Sequence, residues 1–242
     1  SKHCTYCIIP KLRGNYRSVP MEELLVEAEQ LSKEGTKELI VIAQETTVYG
    51  VDLYGEKRLP ELLQALCKID GIKWIRLLYC YPEEITKELV QTIKTEEKMC
   101  HYLDLPIQHC NDDILKRMGR KTTQADLREK ISMLRKEIPD IALRTTLISG
   151  FPGETNENHE ECVDFVANMK FERLGVFPYS PEEGTPAAGY DRQLPDKIKQ
   201  EWADEIMQTE QDVIFAQNEE MIGRRLSVIV DGYLPEDGVY VG

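Results

Sequence analysis

Apolar positions along this chain switch repeatedly between a helical period and short unbroken runs. Residues 18–35 carry Leu24, Leu25, Ala28 and Leu31 on one helical face. Pro20 fits the first turn, Glu22 and Glu23 suit the positive N-terminal end, and Gly35 fits the stop. Glu38-Leu39-Ile40-Val41-Ile42-Ala43 is then a continuous apolar run, the pattern of a buried parallel strand. It ends in polar residues, Gln44-Glu45-Thr46-Thr47, and a Tyr/Gly loop at 49–55.

The alternation continues. Leu59, Leu62, Leu63 and Leu66 mark a helix, and Trp74 to Tyr79 a strand. Pro82 opens a helix with Ile85, Leu89 and Ile93, and Tyr102-Leu103-Asp104-Leu105 is a short strand. Asn111 caps a short helix through Met118. Thr123 and Asp126 form a capping box ahead of Leu127, Ile131 and Leu134. Ile141 to Ser149 is a strand closed by Gly150-Phe151-Pro152-Gly153. Cys162, Phe165, Val166 and Met169 mark a helix, and Arg173 to Phe177 a fifth strand. A helical pattern over 195–221 is expected to leave this body, followed by a hairpin of Leu226–Val230 and Val239–Val241 about a turn near 235–238.

Strands and helices alternating at this spacing predict right-handed parallel βαβ units in an α/β fold. Active sites of such barrels lie at the C-terminal ends of the strands. Gln44–Thr47, Tyr79–Pro82, Gln108–His109, Ser149–Glu154 and Tyr179–Ser180 all map to that end. This convergence points to an enzyme.

Composition adds limits. No run of about 18 apolar residues is present, so no transmembrane helix is expected. The 242 residues allow one large barrel-type domain or two smaller ones. The seven cysteines are odd in number and irregularly spaced, which argues against a disulfide framework and for a reducing, cytoplasmic setting. A net charge of −13 disfavours generic nucleic-acid binding and suits a basic partner.

The chemistry is concentrated at the start, in His3-Cys4-Thr5-Tyr6-Cys7-Ile8-Ile9-Pro10. Two thiols at this spacing fit a zinc half-site, a redox pair, two buried thiols or cluster ligands. Lys11, Arg13 and Arg17 follow, as a solvated basic face or as contacts for substrate carboxylates. Cys4 and Cys7 match the last two cysteines of C-x-x-x-C-x-x-C, whose first position would immediately precede Ser1.

With Gly150-Phe151-Pro152-Gly153-Glu154-Thr155 and Tyr179-Ser180-Pro181-Glu182-Glu183-Gly184-Thr185-Pro186-Ala187, these residues resemble the methylthiotransferase branch of the radical-SAM superfamily. The resemblance implies a partial TIM-like (βα)6 radical-SAM barrel over 1–220, whose first strand lies ahead of this chain. Residues 221–242 would start a small TRAM β-domain. The family's N-terminal domain, with a second cluster, has no counterpart here.

The resemblance also implies a 4Fe-4S cluster held by Cys4 and Cys7, with one iron left open for S-adenosylmethionine. Reduction of that cofactor gives a 5′-deoxyadenosyl radical. Ala43–Thr47, Leu78-Tyr79-Cys80-Tyr81-Pro82, Asp104–His109, Arg144-Thr145-Thr146 and Leu174–Phe177 resemble the sub-branch that methylthiolates an aspartate of ribosomal protein S-twelve. The alternatives are the tRNA-adenosine sub-branch and a cluster-free, inactive fragment. The implied electron donor is a flavodoxin or ferredoxin. The implied cofactor contacts are Tyr6, Gln44, Glu45, Thr46, Gln108, Arg144, Gly150, Phe177 and Tyr179. Arg144, inside a strand, needs a carboxylate, either the cofactor's or a structural one such as Glu45. His109 and the Glu154 side chain are expected to be structural, as are Cys67, Cys80, Cys100, Cys110 and Cys162.

Overall fold

The computed structural model describes residues 2–242. A short helix α1 (Ile9–Arg13), unforeseen in the sequence pattern, leads to α2 (Met21–Lys33). Pro20 sits one position outside α2 rather than within it. β1 (Glu38–Val41) follows, and the expected Tyr/Gly loop contains α3 (Val51–Tyr54) before α4 (Leu59–Cys67). After β2 (Trp74–Leu77), Pro82 opens only a single 3-10 turn, Pro82–Glu84. The Ile85 backbone turns extended, and Thr86 caps α5 (Lys87–Thr95) by accepting the Leu89 N–H.

β3 spans Met99–Gln108, longer than its apolar centre suggests. α6 (Asp112–Arg117) starts under the Asn111 cap, and α7 (Gln124–Glu137) under the Thr123–Asp126 capping box. β4 (Ala142–Ser149), α8 (Asn156–Met169), β5 (Arg173–Pro178) and α9 (Asp196–Met221) complete the series. β1 to β5 lie side by side in chain order, and every pair is parallel. This is the α/β arrangement that the alternation predicts.

Side chains alternate across each strand. Leu39, Ile75, Leu77, Leu103, Leu105, Leu143 and Leu147 enter one core beneath the helices, with Leu63, Ile93, Leu134 and Phe165. The other face carries Glu38, Arg76, Tyr102, Asp104, Arg144 and Phe177. Arg76 pairs with Glu38 at 2.6 Å and lies 4.8 Å from the Tyr102 ring centroid. β1 is not buried on both faces as its sequence suggests. It is one of the two edge strands among the described residues, Ile40 is 53% exposed, and an apolar groove of about 390 Å³ runs beside it between Tyr16, Val19, Leu24 and Leu62.

Two other expectations are corrected. α9 does not leave the body: Trp202, Ala203 and Ile206 are buried, and the Trp202 ring stacks on His159 of α8 at 4.7 Å. In the hairpin, β6 is Gly232–Leu234, which pairs antiparallel with β7 (Val239–Val241), while Leu226, Val228 and Val230 stand exposed outside it. The tight turn sets this register, because it brings Leu234 opposite Val239.

Leu103 is fully buried. Leu103→Ala is expected to cost about 2–5 kcal/mol in urea denaturation, whereas exposed Leu12→Ala should stay within about 0.5 kcal/mol. Glu210 of α9 is buried with both carboxyl oxygens unpartnered, and burial, then the charge of Glu172, push its pKa up to about 7. Between the ordinary value of 4.5 and about 7 the unfolded chain releases this proton while the folded chain keeps it. Stability from this group therefore falls as pH rises through that window. The melting-temperature advantage of Glu210→Gln over the native chain should grow from pH 4.5 to pH 8; a constant difference would refute the assignment.

Candidate functional site

The cysteine loop is pinned to the rest of the chain by its backbone. Thr5 N–H donates to the Met118 carbonyl at 2.9 Å, and Thr5 Oγ1 donates to the Arg117 carbonyl at 2.8 Å. The Thr5 carbonyl accepts from Ala187 N–H at 3.0 Å. Cys7 N–H donates to the Cys4 carbonyl at 3.1 Å, so the two thiols belong to one turn. Gly119 makes this approach possible: at φ +75 it is left-handed, and a Cβ there would sit 2.9 Å from the His3 carbonyl. Burial pushes the Cys7 thiol above its ordinary pKa.

Around Cys4 the surroundings are aromatic and charged. Its Sγ lies 3.6 Å from the Tyr81 hydroxyl. Tyr6 packs edge-on against Phe151, and Phe151 against Tyr179 and Tyr190, at centroid distances of 6.4, 5.2 and 6.3 Å. Arg120 is buried, its guanidinium 4.2 Å from the Tyr81 ring centroid. Lys2 bonds Glu84 at 2.5 Å and Glu83 at 3.3 Å, and stands 3.8 Å from Glu45.

The ends of β1, β2 and β3 are laced together beside this loop. Thr46 N–H donates to the Tyr79 carbonyl at 3.0 Å, and its hydroxyl to the Leu78 carbonyl. Tyr79 N–H donates to Asp104 Oδ2 at 3.2 Å. Tyr79 (φ 56) and Gln108 (φ 71) both hold left-handed backbone, an uncommon and costly conformation for such residues that clusters at functional sites.

The expected contact residues divide accordingly. Gln44 is exposed, Gln108 half-buried, and Phe177 60% exposed on the face away from the helices, all free to meet a ligand. Glu45 is buried and accepts the Thr47 hydroxyl, and Thr46 is committed to β2. Tyr179 is buried, with its N–H on the Ser149 carbonyl. Arg144 pairs with Asp104 at 3.2 Å, not with Glu45. The two face each other in register across β3 and β4, a proximity that linear sequence does not reveal. Gly150, at φ +74, also has a packing reason to be glycine: a Cβ there would collide with Lys199 of α9. Lys11, Arg13 and Arg17 are exposed.

His109, Cys110 and Cys162 bring ligand-type atoms within 4.8 Å of one another, fully buried. One ring nitrogen is hydrogen-bonded, and the other faces a carboxylate oxygen that has no other partner among the described residues. Nδ1 accepts Asn111 N–H at 3.0 Å, and Nε2 lies 3.3 Å from Glu154 Oε1. Glu154 Oε2 accepts Phe151 N–H at 2.8 Å. The group therefore ties the end of β3 to the turn after β4 and to α8, the structural role expected for His109 and for the Glu154 side chain.

Residues 1–166 match the family model described as Radical SAM superfamily. The chain belongs to the radical SAM superfamily. A ribosomal protein uS12 methylthiotransferase RimO from Lachnoclostridium phytofermentans is 63% identical over 241 residues, which is all of this chain and 55% of that protein. The protein of the same name from Clostridioides difficile is 51% identical over all of this chain and 54% of its own length. The chain thus spans about half the length of these relatives. Among solved structures, TsrM from Kitasatospora setae, a radical S-adenosylmethionine methyltransferase with cobalamin and a [4Fe-4S] cluster bound, aligns at TM-score 0.63 and 18% identity over 77% of this chain and 36% of its own. SuiB from Streptococcus suis aligns at TM-score 0.58 and 16% identity over 86% of this chain and 44% of its own. These two likenesses show the radical-SAM fold.

Membership implies a 4Fe-4S cluster and S-adenosylmethionine. The residues present fit the cluster. The donors are soft thiols on one turn, Gly119 leaves room for that turn, and the buried guanidinium of Arg120 keeps two nitrogens without a hydrogen-bond partner beside it. Sequence reasoning passed over Arg120 and Tyr81 as individual residues. Tyr81 lies in a stretch already singled out, but a lone arginine after Met118-Gly119 carries no pattern.

Glu154→Ala is expected to cost about 3–5 kcal/mol in urea denaturation, because it strands the buried His109 and the Phe151 N–H together. Glu154→Gln, which keeps an acceptor for Phe151, should cost clearly less. Equal losses would show that the carboxylate has no such linking role.

Proposed function

We propose that this chain is the radical-SAM domain of an enzyme that adds a methylthio group to the β-carbon of an aspartate in ribosomal protein uS12. The observation that carries this reading is identity of 63% and 51%, over the whole chain, with proteins named as uS12 methylthiotransferases. The reading extends to residues 221–242 as the opening of a TRAM β-domain, to a flavodoxin or ferredoxin as electron donor, and to a cytoplasmic setting. No helix among the described residues is long and apolar enough to cross a membrane. The net charge of −13 supports a basic protein substrate.

Cys4 and Cys7 would hold the cluster as thiolates. When bound, the cluster and S-adenosylmethionine supply an electron and a carbon-centred radical that abstracts hydrogen from the substrate. The protein's own task is to bind, orient and exclude water. The hydrogen bonds of Thr5 fix the turn that presents both thiols. Tyr6, Phe151, Tyr179 and Tyr190 form an apolar wall behind it. Gln44, Gln108 and Phe177 are the contacts for S-adenosylmethionine that this reading favours. Arg144, held by buried Asp104, presents a cation on the same face for a carboxylate of cofactor or substrate.

The test is anaerobic reconstitution of the chain extended at its N-terminus to the length of its relatives. About four irons per chain, with an EPR signal altered by S-adenosylmethionine, is expected. Cys4→Ser and Cys7→Ser should each lose most of that iron. Mass spectrometry should then find a methylthiolated aspartate in uS12 and no change in a tRNA adenosine. Iron retained in both serine variants would remove these two residues from the site, and a modified tRNA with unmodified uS12 would overturn the substrate.

A further inference from the structure

Among the described residues Arg120 is the one buried guanidinium near the cysteine turn, and no carboxylate pairs with it. The residue is 7% exposed. Nη2 donates to the Pro106 carbonyl at 2.9 Å, while Nε and Nη1 have no hydrogen-bond partner. No carboxylate lies within 4.0 Å of it among the described residues. A buried cation without an anion is costly, and buried charges are ordinarily paired. Instead, Arg120 lies against Tyr81, whose hydroxyl reaches Cys4 Sγ at 3.6 Å. Burial works against its proton, yet its pKa stays above the ordinary value in this setting beside Tyr6, Tyr81 and Cys4. Glu83, the one carboxylate named among these influences, comes last and is engaged with Lys2 at 3.3 Å.

The main chain holds the guanidinium in place from both sides. Arg120 N–H donates to the Leu115 carbonyl at 2.9 Å, which closes α6. Gly119, immediately before it, is where the cysteine turn crosses. The segment that anchors Thr5 therefore also delivers the cation. Thiolate-ligated clusters carry net negative charge that grows when they are reduced, and charge and hydrogen bonds around the sulfurs set their potentials. A fixed cation stabilises the reduced form more than the oxidised one.

We propose that Arg120 is the counter-charge of the anionic cluster bound at Cys4, and that it raises the reduction potential of that cluster. This rests on the cluster reading above and assigns Arg120 a positioning and tuning role, not contact with substrate. The redox step concerned is one-electron reduction, with dithionite as the reductant in the test.

The experiment uses the N-terminally extended chain, reconstituted anaerobically, as native protein, Arg120→Gln and Arg120→Lys. Iron and sulfide content, thermal melting and an EPR-monitored redox titration are measured for each. Arg120→Gln should bind iron and sulfide as the native protein does, yet show at least a tenfold fall in the equilibrium constant for reduction, 59 mV for one electron. Arg120→Lys keeps the charge and should stay within about threefold of native. An unchanged potential in Arg120→Gln with full cluster content overturns the proposal and leaves the cluster reading intact. A native protein that takes up no iron overturns the cluster reading itself. If Arg120→Gln does not fold, Arg120→Lys decides: a fall of tenfold or more despite the retained charge overturns the proposal, and a near-native potential sustains it.

Discussion

Three hydrogen bonds of Thr5 hold the candidate site together. Its N–H and hydroxyl are fixed by the carbonyls of Met118 and Arg117, and its own carbonyl by Ala187 N–H. Among the described residues the turn is followed by only the five-residue α1, and its bonds run to segments more than a hundred residues away, one at the end of α6 and one beyond β5. Fixing a loop in this way costs conformational entropy, which buried backbone bonds of good geometry offset.

A second constraint is the lacing of strand ends. Asp104 accepts from the Tyr79 N–H and pairs with Arg144, so one buried carboxylate coordinates β2, β3 and β4. Burial lifts this carboxyl above its ordinary range, against the pull of Tyr79 N–H and Arg144. Thr46 joins β1 to the same point through Leu78 and Tyr79. Behind these, the Glu154 carboxylate binds His109 and the Phe151 N–H and so couples the turn after β4 to the end of β3. The site is cross-linked by hydrogen bonds at its edges and exposed on the face that carries Arg144 and Phe177.

Much of this was legible in the chain alone. The five strands, most of the helices and the convergence of polar strand ends follow from periodicity, because a parallel βαβ unit needs an unbroken apolar strand and an amphipathic helix in alternation. Cap signals at Asn111 and Thr123 held because capping is local: the side chain and the N–H it satisfies lie two or three residues apart. Local signals failed where a neighbour decided the outcome. Pro82 has a helix-start signature but forms one 3-10 turn, α9 has a free-standing helix's composition but packs on α8 and β5, and the apolar run 226–230 stays outside the hairpin.

Spacing and motif resemblance determined the fold class and the superfamily, and singled out the cysteine pair. Only the tertiary structure assigned partners to the charges. Arg144 met Asp104 across a strand register, Gly150 met Lys199 of α9, and Arg120 came to rest, without a carboxylate, beside Tyr81 and Cys4. The physical reason is range. Periodicity and capping act within a few residues, whereas the balance of a buried charge depends on whatever the fold brings within a few ångströms, at any distance along the chain.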